Sequence, residues 1–415
     1  MKKIFSIVVV LLMLVSTIGL NSVSAKNLQD LTLTSQFACA IDQDSGKVLY
    51  NKDMNTKMYP ASITKIVTIM TALDMIKDVD AKLTITEKDL ETVYETGASA
   101  ANFAVGEEVT YEDLLMGALI PSGADATRAL ADHLCNNSQE KFVSKMNAYA
   151  KKCGAKNSHF ANTTGIHDEN HYTTAYDMAL ITRNACDNKQ FKKLFAISTF
   201  TSSNKLHVWT KKNVRNAHKS GIDISMFKGT KSGYTDEAQH TLSTLVEEHN
   251  HEFVIVTGHG QDTDTLTSVA TRDTVTIANY LKDNYSEQTI IKKGTKLKDI
   301  DVTYGSDDLV VNANEDINLI LPKNVSKSSV KISYNIKSLT APIKKGTKIG
   351  TMTIKYKGTT KYKKELYASK DVKKDTLAYI LQTIKGIIFP YGIALILVLV
   401  FIKVCRIPTK KRTKR

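Results

Sequence analysis

The chain has 415 residues, of which 42% are apolar and 24% charged, with 56 lysines and arginines against 42 acids and a formal net charge of +14. Lys2 and Lys3 at one end, and Lys403, Arg406, Lys410, Lys411, Arg412, Lys414 and Arg415 at the other, carry nine of those charges with no acid among them, which leaves +5 on residues 26–402. A basic excess gathered at the chain ends argues against a nucleic-acid-binding groove, and a chain of this length buries a core without disulfide staples.

Lys2-Lys3, the apolar run Ile4 to Leu20 and Val23-Ser24-Ala25 form the three regions of a secretory signal peptide over residues 1–25, with cleavage after Ala25. No cysteine stands at that site, so a lipoprotein anchor is not expected. Phe37 to Tyr50 holds two short strand patterns around Asp44-Ser45-Gly46, and Ile63 to Met75 has helical spacing. Tyr111 to Cys135 predicts two helices, and Phe142 to Lys152 and Thr174 to Ala185 one each. His240 to Glu247 and Glu252 to Gly258 alternate as neighbouring strands before a helix over Asp273 to Asp283. Helices bracketed by antiparallel strands predict an α/β domain with a mostly helical half.

Past Tyr285 the pattern changes to short apolar runs punctuated by Gly294, Gly305, Gly346 and Gly358, the texture of a small all-β sandwich over residues 286–370. Gly386 to Ile402 carries no charge and is followed only by basic residues. This predicts a membrane-anchoring helix over 377–402 and a cytoplasmic basic tail over 403–415, with Pro390 leaving a helix lying on the membrane surface as the alternative. Cys405 falls on the inner side of that anchor and reads as unpaired; Cys39, Cys135, Cys153 and Cys186 sit in apolar contexts, where one pairing is possible but no disulfide framework is indicated. His167-Asp168-Glu169-Asn170-His171 lacks the H-E-x-x-H order and reads as a solvated loop, so no metal is assigned.

Three short motifs carry chemistry. In Pro60-Ala61-Ser62-Ile63-Thr64-Lys65 the serine and lysine stand three residues apart at the head of a helix, so hydroxyl and amine share a face and can touch. A serine needs a base within hydrogen-bond reach, and a lysine serves only if burial and a neighbouring cation lower its pKa. Ser122-Gly123-Ala124-Asp125 follows an apolar helix, and Lys231-Ser232-Gly233-Tyr234 precedes a strand. In this order S-x-x-K, S-G-x-D-A and K-S-G form the signature of serine enzymes that act on D-alanyl peptides. The chain resembles the low-molecular-mass penicillin-binding proteins of the serine-type D-alanyl-D-alanine carboxypeptidase family, from about Phe37 to His259, with Ala341 to Thr347 similar to that family's C-terminal module.

The resemblance implies a penicillin-binding, transpeptidase-like catalytic domain over 26–285, an antiparallel sheet plus a helical lobe with the site between them. It implies removal of the terminal D-alanine from peptidoglycan stem pentapeptides, with Ser62 as nucleophile, Lys65 as base and Ser122 as proton relay. Lys231 and Ser232 would hold the terminal carboxylate, Gly233 would admit the substrate strand, and the Ser62 and Tyr234 backbone N–H groups would form the oxyanion hole. The implied partners are peptidoglycan stem peptides, β-lactams as acylating inhibitors and the cytoplasmic membrane, with the catalytic domain outside the cell facing the wall and no cofactor. A β-lactamase would share the motifs without the anchor and β domain, and a zinc peptidase would need a His/Asp/His set that is not found. Ala124 stands where most relatives have asparagine, so the alternative is a weakly active or non-catalytic wall-binding protein.

Overall fold

The computed structural model describes residues 31–91, 97–248, 251–261, 268–323, 325–356 and 358–405. The expected signal peptide, and the basic tail beyond residue 405, lie outside the described residues. The chain divides into two compact units, 1–284 and 285–415.

In the first unit β1 (Phe37–Asp42), β2 (Val48–Lys52), β7 (Phe227–Gly233), β8 (His240–Glu248) and β9 (His251–Gly260) form one antiparallel sheet in the order β2-β1-β9-β8-β7. β8 and β9 are buried along most of their length because both faces are covered. Ser243 lies opposite Val256 and Leu242 opposite Thr257, so Ser243 and Thr257 point to opposite faces. Thr182 of the helix Ala175–Asp187 hydrogen-bonds Ser243, and Thr257 donates to the carbonyl of Ala270 in the helix Val269–Asn284. The sheet is therefore the middle of a three-layer sandwich.

The helical lobe surrounds α1 (Lys65–Leu73), buried at every residue from Lys65 to Ala72, as a helix apolar all round must be. It packs against α3 (Tyr111–Leu119; α2 is the single turn Glu87–Leu90), α4 (Ala124–Leu134), α5 (Gln139–Lys152) and α6 (Ala175–Asp187). Each of α3 and α6 begins at a threonine whose hydroxyl accepts from the backbone N–H three residues on. The antiparallel pair β3–β4 (Lys82–Thr84, Glu108–Thr110), the hairpin β5–β6 (Thr199–Thr201, Val208–Thr210) and β7 itself are not predicted from the sequence. The strands of the two pairs have three residues each, and β7 reads Phe-Lys-Gly-Thr-Lys-Ser-Gly, with little β-branched or aromatic content to announce a strand.

The segment containing His167 to His171 is a loop, but the expectation that it is solvated fails at His171, which is buried beneath the head of α1. Cys39, Cys135, Cys153 and Cys186 are buried free thiols. Burial pushes the Cys39 and Cys186 thiols up to about 12, so both stay protonated and inert.

The second unit is a β domain with its own core of residues such as Leu309, Leu321, Ile349, Met352 and Ile354. β10 (Tyr285–Ile291) pairs with β14 (Ile317–Pro322), β11 (Lys296–Ile300) with β13 (Leu309–Asn312), and β12 (Val302–Thr303) with β16 (Leu339–Thr340). β15 (Val330–Ile336), β17 (Lys348–Tyr356) and β18 (Thr359–Tyr367) form a three-stranded antiparallel sheet. A 30-residue helix, Thr376–Cys405, follows. Among the described residues no helix is long and apolar enough to cross a membrane; the side chains of residues 387–390, 393–394 and 404–405 in this helix lie outside that description.

Asp113 ties the β5–β6 hairpin to the helical lobe. It is fully buried, and its carboxylate accepts from the Thr110 N–H at 2.9 Å, the Ser203 N–H at 2.8 Å and the Ser203 hydroxyl. Removing it strands the buried Thr110 N–H, worth about 1–3 kcal/mol, while the donors of the exposed Ser203 can turn to water. Asp113→Ala should therefore lower unfolding free energy in urea by about 1–3 kcal/mol, whereas a loss below about 0.5 kcal/mol would show that the hairpin is not held this way.

Candidate active site

Ser62 lies in a 3-10 turn, Ala61–Thr64, that runs directly into α1. Ala61 takes a left-handed conformation with φ +48°, a strained choice for a residue with a side chain. The turn is clamped from its surroundings. A Cβ on Gly165 would fall 2.0 Å from the Ala61 carbonyl oxygen, and one on Gly233 2.6 Å from the Ser62 nitrogen. Only glycines let those two segments touch the backbone at Ser62. Thr241 of β8 completes the clamp by donating its hydroxyl to the Pro60 carbonyl at 2.9 Å.

The first residue of α1 is Lys65, whose Nζ donates to Ser62 Oγ at 2.9 Å and to the Thr164 carbonyl at 2.6 Å. Burial brings its pKa down to about 7, against a smaller opposing pull from the Asp125 charge. Near neutral pH a large fraction of Lys65 is therefore a free amine, able to receive the Ser62 proton along the same contact.

The carbonyl that holds Lys65 is itself placed by Asn162. Its Oδ1 accepts from the Thr164 N–H, the Thr164 hydroxyl and the Gly165 N–H, and its Nδ2 donates to the Ile166 carbonyl. Beneath this loop, His171 Nδ1 accepts from the Ala161 N–H at 3.0 Å, so Nε2 carries the hydrogen and donates to Thr64 Oγ1 at 2.7 Å. Burial lowers the imidazole to about 3, which keeps it neutral. The sequence assigns no site role to Asn162, and it places His171 in a solvated loop because the polar surroundings conceal its partner Thr64, 107 residues distant.

Ser122, just ahead of α4, has φ +67°. Asp125, three residues on and fully buried, accepts from the N–H groups of Ala101, Asn102, Phe103 and Ala126 at 2.8–3.2 Å. A Cβ on Gly123 would strike that carboxylate at 2.5 Å, which explains the glycine between them. Ala124 is buried and lines a cavity of about 430 Å³ with Arg128, Gln139, Asn162 and Thr164.

β7 brings Lys231 from the sheet side. Its Nζ donates to Ser122 Oγ at 2.8 Å and to the Ser232 carbonyl at 2.7 Å. Burial first, then the charges of Lys65 and Lys211, push its pKa well below the usual lysine value. Lys211 is a third buried lysine, which the motifs do not announce. It donates to the Phe195 carbonyl at 2.7 Å, and burial brings it down to about 7. The Phe195 ring packs where a Cβ on Gly229 would stand, so Lys211 and β7 share one support.

The structure thus joins Ser62 to Lys65 and Ser122 to Lys231, with Gly233 against the Ser62 amide. Ser232 is half-buried and Tyr234 exposed, its hydroxyl donating to Asp236 at 3.1 Å. Among the described residues no group of three or more histidines, cysteines and acids is placed to hold a metal ion.

Residues 22–263 match the family described as D-alanyl-D-alanine carboxypeptidase, and residues 285–374 match the C-terminal domain of penicillin-binding protein 5. The chain is 29% identical to the D-alanyl-D-alanine carboxypeptidase DacF of Bacillus subtilis, over 84% of this chain and 88% of that one. It is 27% identical to DacA of Haemophilus influenzae, over 88% and 94%. The crystal structure of penicillin-binding protein 5 from Haemophilus influenzae superposes with a TM-score of 0.67 at 26% identity, over 83% of this chain and 99% of that one.

The three buried lysines make a titration prediction. With lysine side chains labelled for NMR, Lys65 should titrate near pH 7, and Lys211→Met should move the Lys231 titration upward by removing a neighbouring cation. A Lys65 midpoint near 10 would contradict the electrostatic reading of the site.

Proposed function

This chain belongs to the D-alanyl-D-alanine carboxypeptidase family, and we propose that it removes the terminal D-alanine of peptidoglycan pentapeptides through an acyl-enzyme on Ser62. The observation that carries this is a buried amine with a lowered pKa 2.9 Å from the Ser62 hydroxyl. Neutral Lys65 takes the proton as Ser62 Oγ attacks the penultimate D-alanyl carbonyl. The oxyanion forms against the Ser62 and Tyr234 N–H groups, a placement supported by the close approach of Gly233 to Ser62. Ser122, hydrogen-bonded to Lys231, relays the proton from Lys65 to the leaving nitrogen, the C–N bond breaks and D-alanine departs, leaving Lys65 neutral. Water then adds to the ester carbonyl as Lys65 takes its proton, and Lys65 returns that proton to Ser62 Oγ as the ester C–O bond breaks.

Lys231 and Ser232 hold the terminal carboxylate, whose charge offsets the cost of protonating Lys231 in a buried site. A β-lactam enters as a substrate mimic and leaves an ester on Ser62. The protein works outside the membrane facing the wall, after export through the segment 1–25, anchored by the helix Thr376–Cys405. Support for the anchor is the run of exposed large apolar side chains from Leu395 to Ile402, on a helix that spans about 45 Å at 1.5 Å per residue. Ala124 favours a second reading, a weakly active or non-catalytic wall-binding protein, because alanine offers no amide to the lysine or to a substrate backbone.

Fluorescent penicillin should label the protein, Ser62→Ala should abolish labelling without loss of fold, and the acylation rate should rise with pH through about 7 as Lys65 gives up its proton. Labelling of the Ser62→Ala protein would refute the nucleophile.

Loss of one substrate hydrogen bond costs about 1–3 kcal/mol, or about tenfold to a hundredfold in rate. D-alanine release should be measurable but modest, and Ala124→Asn should raise acylation because the neighbouring cavity has room for an amide. No release and no acylation at any penicillin concentration would favour the binding role instead.

A chain ending at Lys370 should be exported as a soluble protein that still binds penicillin. Its retention on membranes would rule out the C-terminal anchor.

A further inference from the structure

Net charge is distributed unevenly between the two units. Residues 26–284 hold 27 basic residues against 32 acids, a net −5, whereas residues 285–375 hold 19 lysines against 10 acids, a net +9. The unit without the serine and lysine motifs therefore carries the positive charge.

Part of that charge is concentrated by the register of the β15-β17-β18 sheet. Along β17, Ile349 apart, the even-numbered residues from Gly350 to Tyr356 are buried, so Thr351, Thr353 and Lys355 face outward. Lys331 lies directly opposite Lys355, and Lys363 opposite Thr353. All three lysines are exposed, and among the described residues none has an acid within ion-pair distance. Ser333 lies opposite Thr353 and adds a hydroxyl to the same face. Further along the same face Glu365 pairs with Lys348 and also feels the Lys363 charge, so the uncompensated charge gathers toward the Lys355 end. Like charges placed directly across a strand pair destabilise the sheet, and an anionic ligand would offset that cost.

We propose that this lysine face is a docking surface for a phosphodiester polymer of the cell wall, a chain of regularly spaced phosphates running across Lys331, Lys355 and Lys363. Charge complementarity selects a polyanion, and position separates the polymer from the membrane surface. The chain leaves the sheet toward the helix Thr376–Cys405 from Tyr367, which lies opposite Lys348. Lys355 is seven residues further along β17, about 23 Å at 3.3 Å per residue. The lysine face therefore lies at the opposite end of the sheet from the strand end that leads to the helix. The surface would hold the enzyme in the wall layer where its peptides lie, an advantage that rests on the activity proposed above, although the binding itself does not.

The test measures binding of the full chain, in neutral detergent, to purified poly(glycerol phosphate) as a function of salt. Neutralising about three phosphates should give a slope near −2 in log affinity against log salt, about a sixteenfold loss between 50 and 200 mM. Lys331→Gln/Lys355→Gln/Lys363→Gln should weaken binding at least tenfold, while Lys292→Gln/Lys293→Gln/Lys298→Gln, an equal charge loss elsewhere in the same unit, should weaken it less than threefold. Penicillin labelling of both variants reports that the catalytic unit is intact, and so separates failure of this inference from failure of the activity. Equal losses in the two variants, or no loss in the first, would overturn the proposal. So would tighter and equally variant-sensitive binding to vesicles containing anionic phospholipid, which would assign the face to the membrane.

Discussion

Three lysine amines buried without a carboxylate in hydrogen-bond contact are the constraint around which the site is organised. Lys65, Lys231 and Lys211 are each held by a backbone carbonyl, of Thr164, Ser232 and Phe195 respectively. A carbonyl dipole fixes where an ammonium or amine sits but offsets far less of its charge than a carboxylate would. Orientation is thereby separated from protonation, and each amine is positioned while burial keeps its pKa low. Asp125, the acid whose charge reaches Lys65, has its oxygens occupied by four backbone N–H groups. It acts on the amine only from a distance.

Holding that arrangement requires a rigid frame, and most of the frame is backbone. Gly165 and Gly233 press on the turn at Ser62 from segments each more than 100 residues from it in sequence, and Thr241 fixes the Pro60 carbonyl. Asn162 and His171 then set the far wall, one by fixing the Thr164 carbonyl, the other by joining that loop to Thr64. The strained φ values at Ala61 and Ser122 fall on the two residues that such framing must over-determine.

What could be read from the chain follows the range of each interaction. Ser62 and Lys65 meet within one helical turn, so spacing alone brings them together. The principal helices and the two central strands were likewise visible as periodic apolar patterns. Lys211 lies 20 residues from Lys231 in a polar stretch, and its influence exists only because β7 and Phe195 fold over it; no local pattern marks it. His171 misled for a related reason, since acids and asparagine beside it suggest solvent, whereas its burial comes from helix α1 lying across it. The short strand pairs and β7 escaped notice because cross-strand partners, not propensity, make them strands. In the β domain the separate apolar runs were visible, but the register that sets Lys331 opposite Lys355 was not.

The carbonyl-held lysines also make the folded protein a poor acceptor of protons compared with its unfolded chain. In the unfolded state these amines keep an ordinary pKa near 10.5, whereas folding brings Lys65 and Lys211 to about 7 and Lys231 well below its usual value. Between about pH 7 and 10.5 the unfolded chain holds protons that the folded one has released, so stability rises with pH across that window and the full burden remains at acid pH. The same deficit ties ligand capture to the buffer. A carboxylate settling beside Lys231 draws a proton back into the protein, so the measured heat of binding should shift with the ionisation enthalpy of whatever buffer supplies it.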